Sequence, residues 1–284
     1  MYKTFELFDF GVISTYNLMI GVGIFFGFIL IEKSVSQKIK FKDHYKLHIT
    51  LVLSFIFGFI GSRIFDIIFF GKELNTFNFL TGSSTFIGGL IFSVLFIILF
   101  TSLIKLKTTL VLELLVPFLI VAHFFGRIGC FLGGCCYGKP TDGFLGVKYP
   151  PDSYPYQVDP EIVGMHLHPT QLYESFALLL IYFILKNKPN KVSSYLILYG
   201  IVRFIIEFFR NDPRGSFLTD FFSPSQELSL LFIITGFLYF KFLENKKTNY
   251  PLWSLIFEFA KIINKSNANP IMAIVQYKVA FSLK

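Results

Sequence analysis

Charge is what this sequence has least of. Asp, Glu, Lys and Arg make up 15% of its 284 residues, too little to cover a soluble domain of that size, whereas 54% are hydrophobic and 39 are Phe. The class is therefore membrane. Cysteine is nearly absent: Cys130, Cys135 and Cys136 are too few and too clustered for a disulfide framework, and they mark a local site. The N-terminus has no basic region ahead of a cleavable apolar core, and its polar start through Asp9 predicts no removable signal peptide. There is no internal repeat of the kind that marks transporters built from inverted halves. A formal net charge of +8 does not point to nucleic acid, because the lysines sit in short loops rather than on one basic face or in a readable motif.

What is present is a series of apolar runs. Windows of about 20 predominantly apolar residues predict an all-α polytopic membrane protein. Its seven transmembrane helices are expected near 11–31, 47–70, 80–104, 109–136, 169–186, 192–210 and 222–243. Alternate loops carry the lysines: Lys33 to Lys46, Lys105 and Lys107, Lys186 to Lys191, and Lys241 to Lys247. Those loops are expected in the cytoplasm and the balanced or acidic ones outside, with Lys72 beside Glu73, Arg214 near Asp212 and Asp220, and Asp142, Asp152, Asp159 and Glu161 in the longest. The N-terminus is then outside and the C-terminus cytoplasmic. Residues 138–168, rich in Pro, Gly, Tyr and Asp, read as a small periplasmic head within one transmembrane unit spanning 1–249. The basic tail, 250–284, reads either as an interfacial helix or as an unstructured extension.

Ionisable residues inside spans are costly and tend to face an interior or a wet cavity. Arg63 and Asp66 lie one turn apart in span two. His123, Arg127 and Cys130 follow i, i+4, i+7 in span four, as do Arg203, Glu207 and Arg210 in span six, so each set occupies one helical face. With the span directions above, these residues share the outer half with Tyr16, Gly88, Gly89 and the run from His168 through Gln171 to Glu174. A lone arginine could snorkel or tie helices together. Here Arg63, Arg127, Arg203 and Arg210 outnumber the local acids Asp66 and Glu207, and guanidinium holds phosphate bidentately. A phospholipid headgroup is the expected anion.

Glycines crowd the same region. Gly88, Gly89, Gly126, Gly129 and Gly200 suit close helix packing, while Gly133, Gly134 and Gly138 at the exit of span four could also admit a ligand to the backbone. His123 with the three cysteines has the composition of a zinc site. The spacing matches no standard knuckle, and neighbouring Cys135 and Cys136 are not expected to aim both thiolates at one ion, so no metal is expected. Packing thiols or a redox pair are the other readings.

Three runs then make the sequence recognisable: Gly126-Arg127-Ile128-Gly129-Cys130-Phe131-Leu132-Gly133-Gly134-Cys135-Cys136-Tyr137-Gly138, His168-Pro169-Thr170-Gln171-Leu172-Tyr173-Glu174, and Tyr199-Gly200-Ile201-Val202-Arg203-Phe204-Ile205-Ile206-Glu207-Phe208-Phe209-Arg210. Together with Tyr16-Asn17-Leu18-Met19, Gly61-Ser62-Arg63, Gly88-Gly89-Leu90 and Gln226, they resemble the prolipoprotein diacylglyceryl transferase family over about residues 8 to 243. The resemblance implies an inner-membrane enzyme, without cofactor, that transfers the diacylglyceryl group of phosphatidylglycerol to the lipobox cysteine of a secreted prolipoprotein. It implies Arg127, Arg203, Glu207, His123 and Tyr16 as catalytic candidates. Arg63, Arg127, Gly88, Gly89, Gly138, His168, Gln171, Glu174 and Arg210 are the substrate-binding candidates. The chain departs from the family pattern in carrying Cys130 and Cys135 where Asn and Glu are usual, and Ile87 in place of the usual His. His123 or His168 is then left to serve as base. A lipid-binding or lipid-moving protein without the base is the alternative, and a thiol oxidoreductase on Cys135 and Cys136 would lack the usual CxxC spacing.

Overall fold

The computed structural model describes residues 4–6, 12–38, 43–70, 86–211 and 221–247; among these, the side chains of Asp66 and Ile87 lie outside the described part. Lys72, Glu73, Asp212, Arg214, Asp220 and the 250–284 tail also lie outside the described residues. The described chain is mostly helical. Its long helices are α1 (Thr15–Lys38), α2 (His44–Phe70), α3 (Phe86–Leu103) and α4 (Thr108–Gly133), then, after a short α5 (Tyr154–Val158), α6 (Thr170–Leu185), α7 (Lys191–Glu207) and α8 (Pro224–Lys247).

Four of them, α1, α2, α4 and α8, are long and apolar enough to cross a membrane, and α3 and α6 are shorter apolar helices. The apolar side chains are not confined to one face: Phe25, Ile29, Phe55, Leu99, Phe183 and Leu238 are exposed on the bundle surface, where lipid rather than water suits them. Inside, Ile31, Val35, Leu47, Leu51, Ile97, Val111, Leu114 and Phe118 tie α1 through α4 into one core. A second core joins α4 to α6 and α7 through Val116, Ile120, Leu178, Ile181, Tyr195 and Tyr199. Glycine sets the closest approaches: a Cβ on Gly61 would fall 2.2 Å from Phe92 Cβ across α2 and α3, and one on Gly200 would fall 2.8 Å from Ser229 O across α7 and α8.

Helix ends differ from the apolar runs for local reasons. Val12–Ser14, expected inside span one, instead forms β2 and pairs antiparallel with β1 (Thr4–Glu6), so α1 begins at Thr15. Span four ends at Gly133 rather than residue 136, because Gly134 takes φ 79° and closes a Schellman turn, its N–H donating to Phe131 O and the Cys135 N–H to Cys130 O. At its other end, Glu113 of α4 accepts the N–H groups of Lys191 (2.6 Å) and Val192 (3.2 Å), capping α7 from a neighbouring helix. Ser223-Pro224-Ser225-Gln226 opens α8 as a capping box, with Ser223 N–H donating to Gln226 Oε1 at 3.1 Å and Gln226 N–H to Ser223 Oγ at 3.3 Å.

The 138–168 segment is folded, with its own small core of Tyr137, Tyr149, Tyr156, Ile162 and Leu167. Its strands β3 (Val147–Lys148) and β4 (His166–Leu167) pair antiparallel. Tyr137 to Thr141 runs between two neighbours: Gly138 N–H donates to His168 O (2.9 Å), Lys139 N–H to Phe209 O (2.8 Å) and Thr141 N–H to His166 O (2.9 Å). That pairing locks the exit of α4 to the entrance of α6 and the exit of α7. Gly138 is required there, since a Cβ would stand 2.6 Å from both His168 Cβ and Phe209 O.

Candidate functional site

The polar residues converge at the end of the bundle beneath this segment. From α4, Arg127 Nη2 meets Glu174 Oε1 of α6 at 2.9 Å, and its Nε donates to His123 Nε2 at 3.3 Å. His123 Nε2 is also 3.5 Å from Glu174 Oε1, and Tyr199 of α7 donates its hydroxyl to the same oxygen at 2.7 Å. Glu174 is 1% exposed, so it is a buried charge whose partners are these side chains. It orients Arg127 from below. The His123 Nε2 lone pair already receives the Arg127 N–H, which places His123 as a support for the guanidinium.

A second cluster lies on α7. Arg203 Nη2 is 2.6 Å from Glu207 Oε2 and donates to Ser225 Oγ at 2.9 Å, while Ser223 of the α8 capping box donates to Glu207 Oε1 at 2.8 Å. Arg210 Nε lies 3.8 Å from Glu207 Oε2, and its backbone bridges Gly138. Glu207 thus carries two arginines. Arg203 also acts electrostatically on Glu174 and His123, so the two clusters share one site. Arg203 Nη1 is buried with no hydrogen-bond acceptor among the described residues. Four buried or half-buried guanidinium groups, those of Arg63, Arg127, Arg203 and Arg210, stand against the carboxylates of Glu174 and Glu207 among the described side chains at this end.

Other expected residues take different places. Tyr16, 42% exposed at the start of α1, is drawn to α4 because Gly129 lets the helices touch, a Cβ there meeting Tyr16 Cα at 3.2 Å; its phenol interacts electrostatically with Arg127 and all three cysteines. Arg63 is buried on α2, its guanidinium 5.2 Å from the Phe59 ring centroid. Gly88 and Gly89 face α2, where a Cβ on Gly88 would fall 2.3 Å from Phe65 Cβ, so helix packing accounts for both. Gln171 is 1% exposed and donates to Cys135 O at 2.6 Å and to Tyr149 Oη at 3.2 Å; burial pushes the Tyr149 phenol up to about 12, keeping it neutral. His168 contacts the Tyr173 hydroxyl through Nδ1 at 3.0 Å.

The extended pairing of residues 209–211 with 137–139 leaves Arg210 buried, 6% exposed. The cysteines were not expected to aim together, yet their sulfurs all lie within 4.8 Å of one another. The Schellman turn sets Cys135 against Cys130, and Cys136, at φ 63°, turns back toward both. Tyr199 and the Ser223 cap were not singled out as functional, although Tyr199 precedes Arg203 by one turn and the Ser-Pro-Ser-Gln spacing was readable. A cavity of about 710 Å³ beside Lys38, Glu113, Lys188 and Lys191 belongs to the other end of α4. Glu113 precedes Arg127 by some four helical turns, roughly 21 Å, so that cavity is not this site.

A sequence model of the family described as prolipoprotein diacylglyceryl transferase matches residues 4–242. A phosphatidylglycerol–prolipoprotein diacylglyceryl transferase from Clostridium tetani is 35% identical over 247 residues, covering 83% of this chain and 95% of the relative. A second such transferase from Clostridium perfringens is 35% identical over 238 residues, 80% of this chain and 89% of the relative. One from Wigglesworthia glossinidia brevipalpis is 32% identical over 248 residues, 78% of this chain and 88% of the relative.

Proposed function

The chain belongs to the prolipoprotein diacylglyceryl transferase family, and on that premise we propose that it transfers the diacylglyceryl group of phosphatidylglycerol to the lipobox cysteine of a prolipoprotein, at the site built around Arg127 and Arg203. It is a multi-pass bacterial membrane protein. The observation that carries the reading is that Arg203 Nη1 is buried with no acceptor among the described residues, at the site where the Arg127–Glu174 and Arg203–Glu207 pairs meet. A buried donor left unmade is costly, and a phosphate oxygen would satisfy it. As the substrate sulfur bonds to the glyceryl carbon, the carbon–oxygen bond to phosphate breaks and negative charge develops on the leaving glycerol phosphate. Arg127 and Arg203 stabilise that charge. Glu174 and Glu207 are positioning residues for them, His123 supports Arg127, and Arg63 and Arg210 add to the positive field. Gln171 and Gly138 hold the neighbouring turn.

Incubating the purified protein with phosphatidylglycerol vesicles and a lipobox peptide should add one diacylglyceryl group to the peptide, read as its mass increase. A peptide with Ser for Cys should remain unchanged. An unmodified Cys peptide, with folded protein in excess lipid, would remove the transferase reading.

The same proposal places seven spans across the membrane, with the 138–168 segment and the N-terminus outside and the C-terminus in the cytoplasm; the loop lysines support this. A reporter active only outside the cytoplasm should work when fused within 138–168 and be silent after Lys247. Activity after Lys247 would invert the site to the wrong leaflet.

A further inference from the structure

The His123 Nε2 lone pair is occupied by Arg127. The substrate thiol must nevertheless become a thiolate to attack carbon, because the thiolate is the nucleophile. We propose that Cys130, Cys135 and Cys136 bind a thiophilic divalent cation of the zinc type, and that its fourth coordination position takes the sulfur of the substrate cysteine. The identity of that fourth sulfur rests on the transferase reading above.

Geometry carries the site. Three sulfurs around a tetrahedral zinc at about 2.3 Å from the metal stand roughly 3.8 Å apart. The observed sulfurs lie within 4.8 Å of one another, so closure around an ion takes movements of about 1 Å or less at each side chain. Their backbones are held from outside the turn, where Thr170 Oγ1 donates to Cys136 O at 2.7 Å and Gln171 Nε2 to Cys135 O at 2.6 Å, and within it, where the Cys135 N–H donates to Cys130 O at 3.1 Å. Ligands fixed in this way by surrounding hydrogen bonds are what a metal site requires. Cys136 also sits at φ 63°, a left-handed conformation that disfavours a residue with a Cβ and that a simple packing position would give to Gly or Asn.

Charge and access agree with a catalytic rather than a closed structural site. A bare dication would be repelled by Arg127 and Arg210, both of which interact electrostatically with Cys136. Three thiolates around a dication carry net charge −1, which those guanidinium groups favour. Cys130 is buried but Cys135 and Cys136 are only partly so, and among the described residues no fourth His, Cys, Asp or Glu joins the cluster, so a coordination position remains for another ligand. Catalytic zinc sites keep such an open position, whereas structural ones are closed by a fourth protein ligand. The step then balances without redox change. The incoming thiol gives its proton to water as its sulfur joins the metal. The sulfur pair forms the carbon–sulfur bond, the carbon–oxygen pair departs on glycerol phosphate beside Arg127, and the neutral thioether leaves the metal.

The full-length protein, purified anaerobically without chelator, should hold one zinc per chain and accept cobalt(II) with a sulfur-to-cobalt charge-transfer band. Adding the lipobox Cys peptide should increase that band as a fourth thiolate joins, and the Ser peptide should leave it unchanged. Cys136→Asn relieves the left-handed backbone while removing the ligand, so it should fold normally and lose the metal; Cys136→Asp keeps an oxygen ligand at a residue that tolerates that conformation and should retain it. Absence of metal from the wild type, or a disulfide among the three cysteines, overturns the proposal. So does metal that survives in Cys136→Asn, or a cobalt spectrum indifferent to the Cys peptide. These readings do not need turnover: a responsive cobalt spectrum without diacylglyceryl transfer would keep the thiol-binding metal and remove the transferase reading, while transfer by metal-free protein would do the reverse.

Discussion

Arg127→Lys should lower turnover by about 10²–10³-fold, the cost typical of removing one preorganised donor at a developing anion. The loss follows from how many tasks one guanidinium performs. Its Nη2 is held by Glu174 at 2.9 Å and its Nε by His123 at 3.3 Å, which fixes the plane of the fork and aims the remaining N–H groups. Lysine brings the same charge on a single point with no plane to fix, so anchoring and phosphate contact cannot both be kept. The comparison belongs at saturating phosphatidylglycerol, where a binding defect does not pose as a chemical one. Insertion and thermal unfolding should be measured alongside, because Glu174 is buried and loses its main partner. Near-normal turnover in a folded Arg127→Lys protein would reduce the arginine to helix glue and remove the main support for charge stabilisation at this site.

The helical part of this arrangement was readable from spacing. His123, Arg127 and Cys130 declare a common face by i, i+4, i+7, and Arg203 and Glu207 by i, i+4, and their cost in a membrane declares that the face is internal. What spacing does not encode is which helix supplies the counterion. Glu174 could be placed in the same outer half of the spans, but only packing of α4 against α6 brings it to Arg127 and His123. Helix ends failed for the same reason. Val12–Ser14 leaves the first apolar run to pair with Thr4–Glu6, only six to ten residues away, while residues 209–211 leave α7 to pair with 137–139, a contact distant in sequence. The thiol cluster was hidden at a single dihedral. In an ordinary extended or helical backbone, adjacent cysteines point apart, and the convergence of Cys136 with Cys135 depends on one left-handed residue following a Schellman turn. The capping box at Ser223 to Gln226 was legible as a helix start, yet its second role, fixing Glu207 through the Ser223 hydroxyl, belongs to tertiary structure.

That second role leads to the other large effect. Arg203→Lys should lower turnover by about 10²-fold or more by the same reasoning as Arg127, since its fork bridges Glu207 and Ser225 and leaves Nη1 for the phosphate. Arg210→Lys would have been mild had Arg210 lain near the headgroups. Buried at 6% and sharing Glu207 with Arg203, it instead restrains the carboxylate that aims Arg203. At 3.8 Å this contact is an ion pair and not a hydrogen bond, so loosening it should lower turnover by about 10-fold or less. The two substitutions differ in route, and a double-mutant cycle separates them. If Arg210 acts through Glu207, then Arg210→Lys should cost little once Glu207 is already Gln. If Arg203 contacts the leaving phosphate itself, then Arg203→Lys should still lower turnover in that background. Additive effects of Arg210→Lys and Glu207→Gln would mean that Arg210 reaches the lipid directly. Full activity in Arg203→Lys would leave the orphaned Nη1 without a role in the reaction, and the phosphate would have to be sought at Arg127 and Arg63 instead.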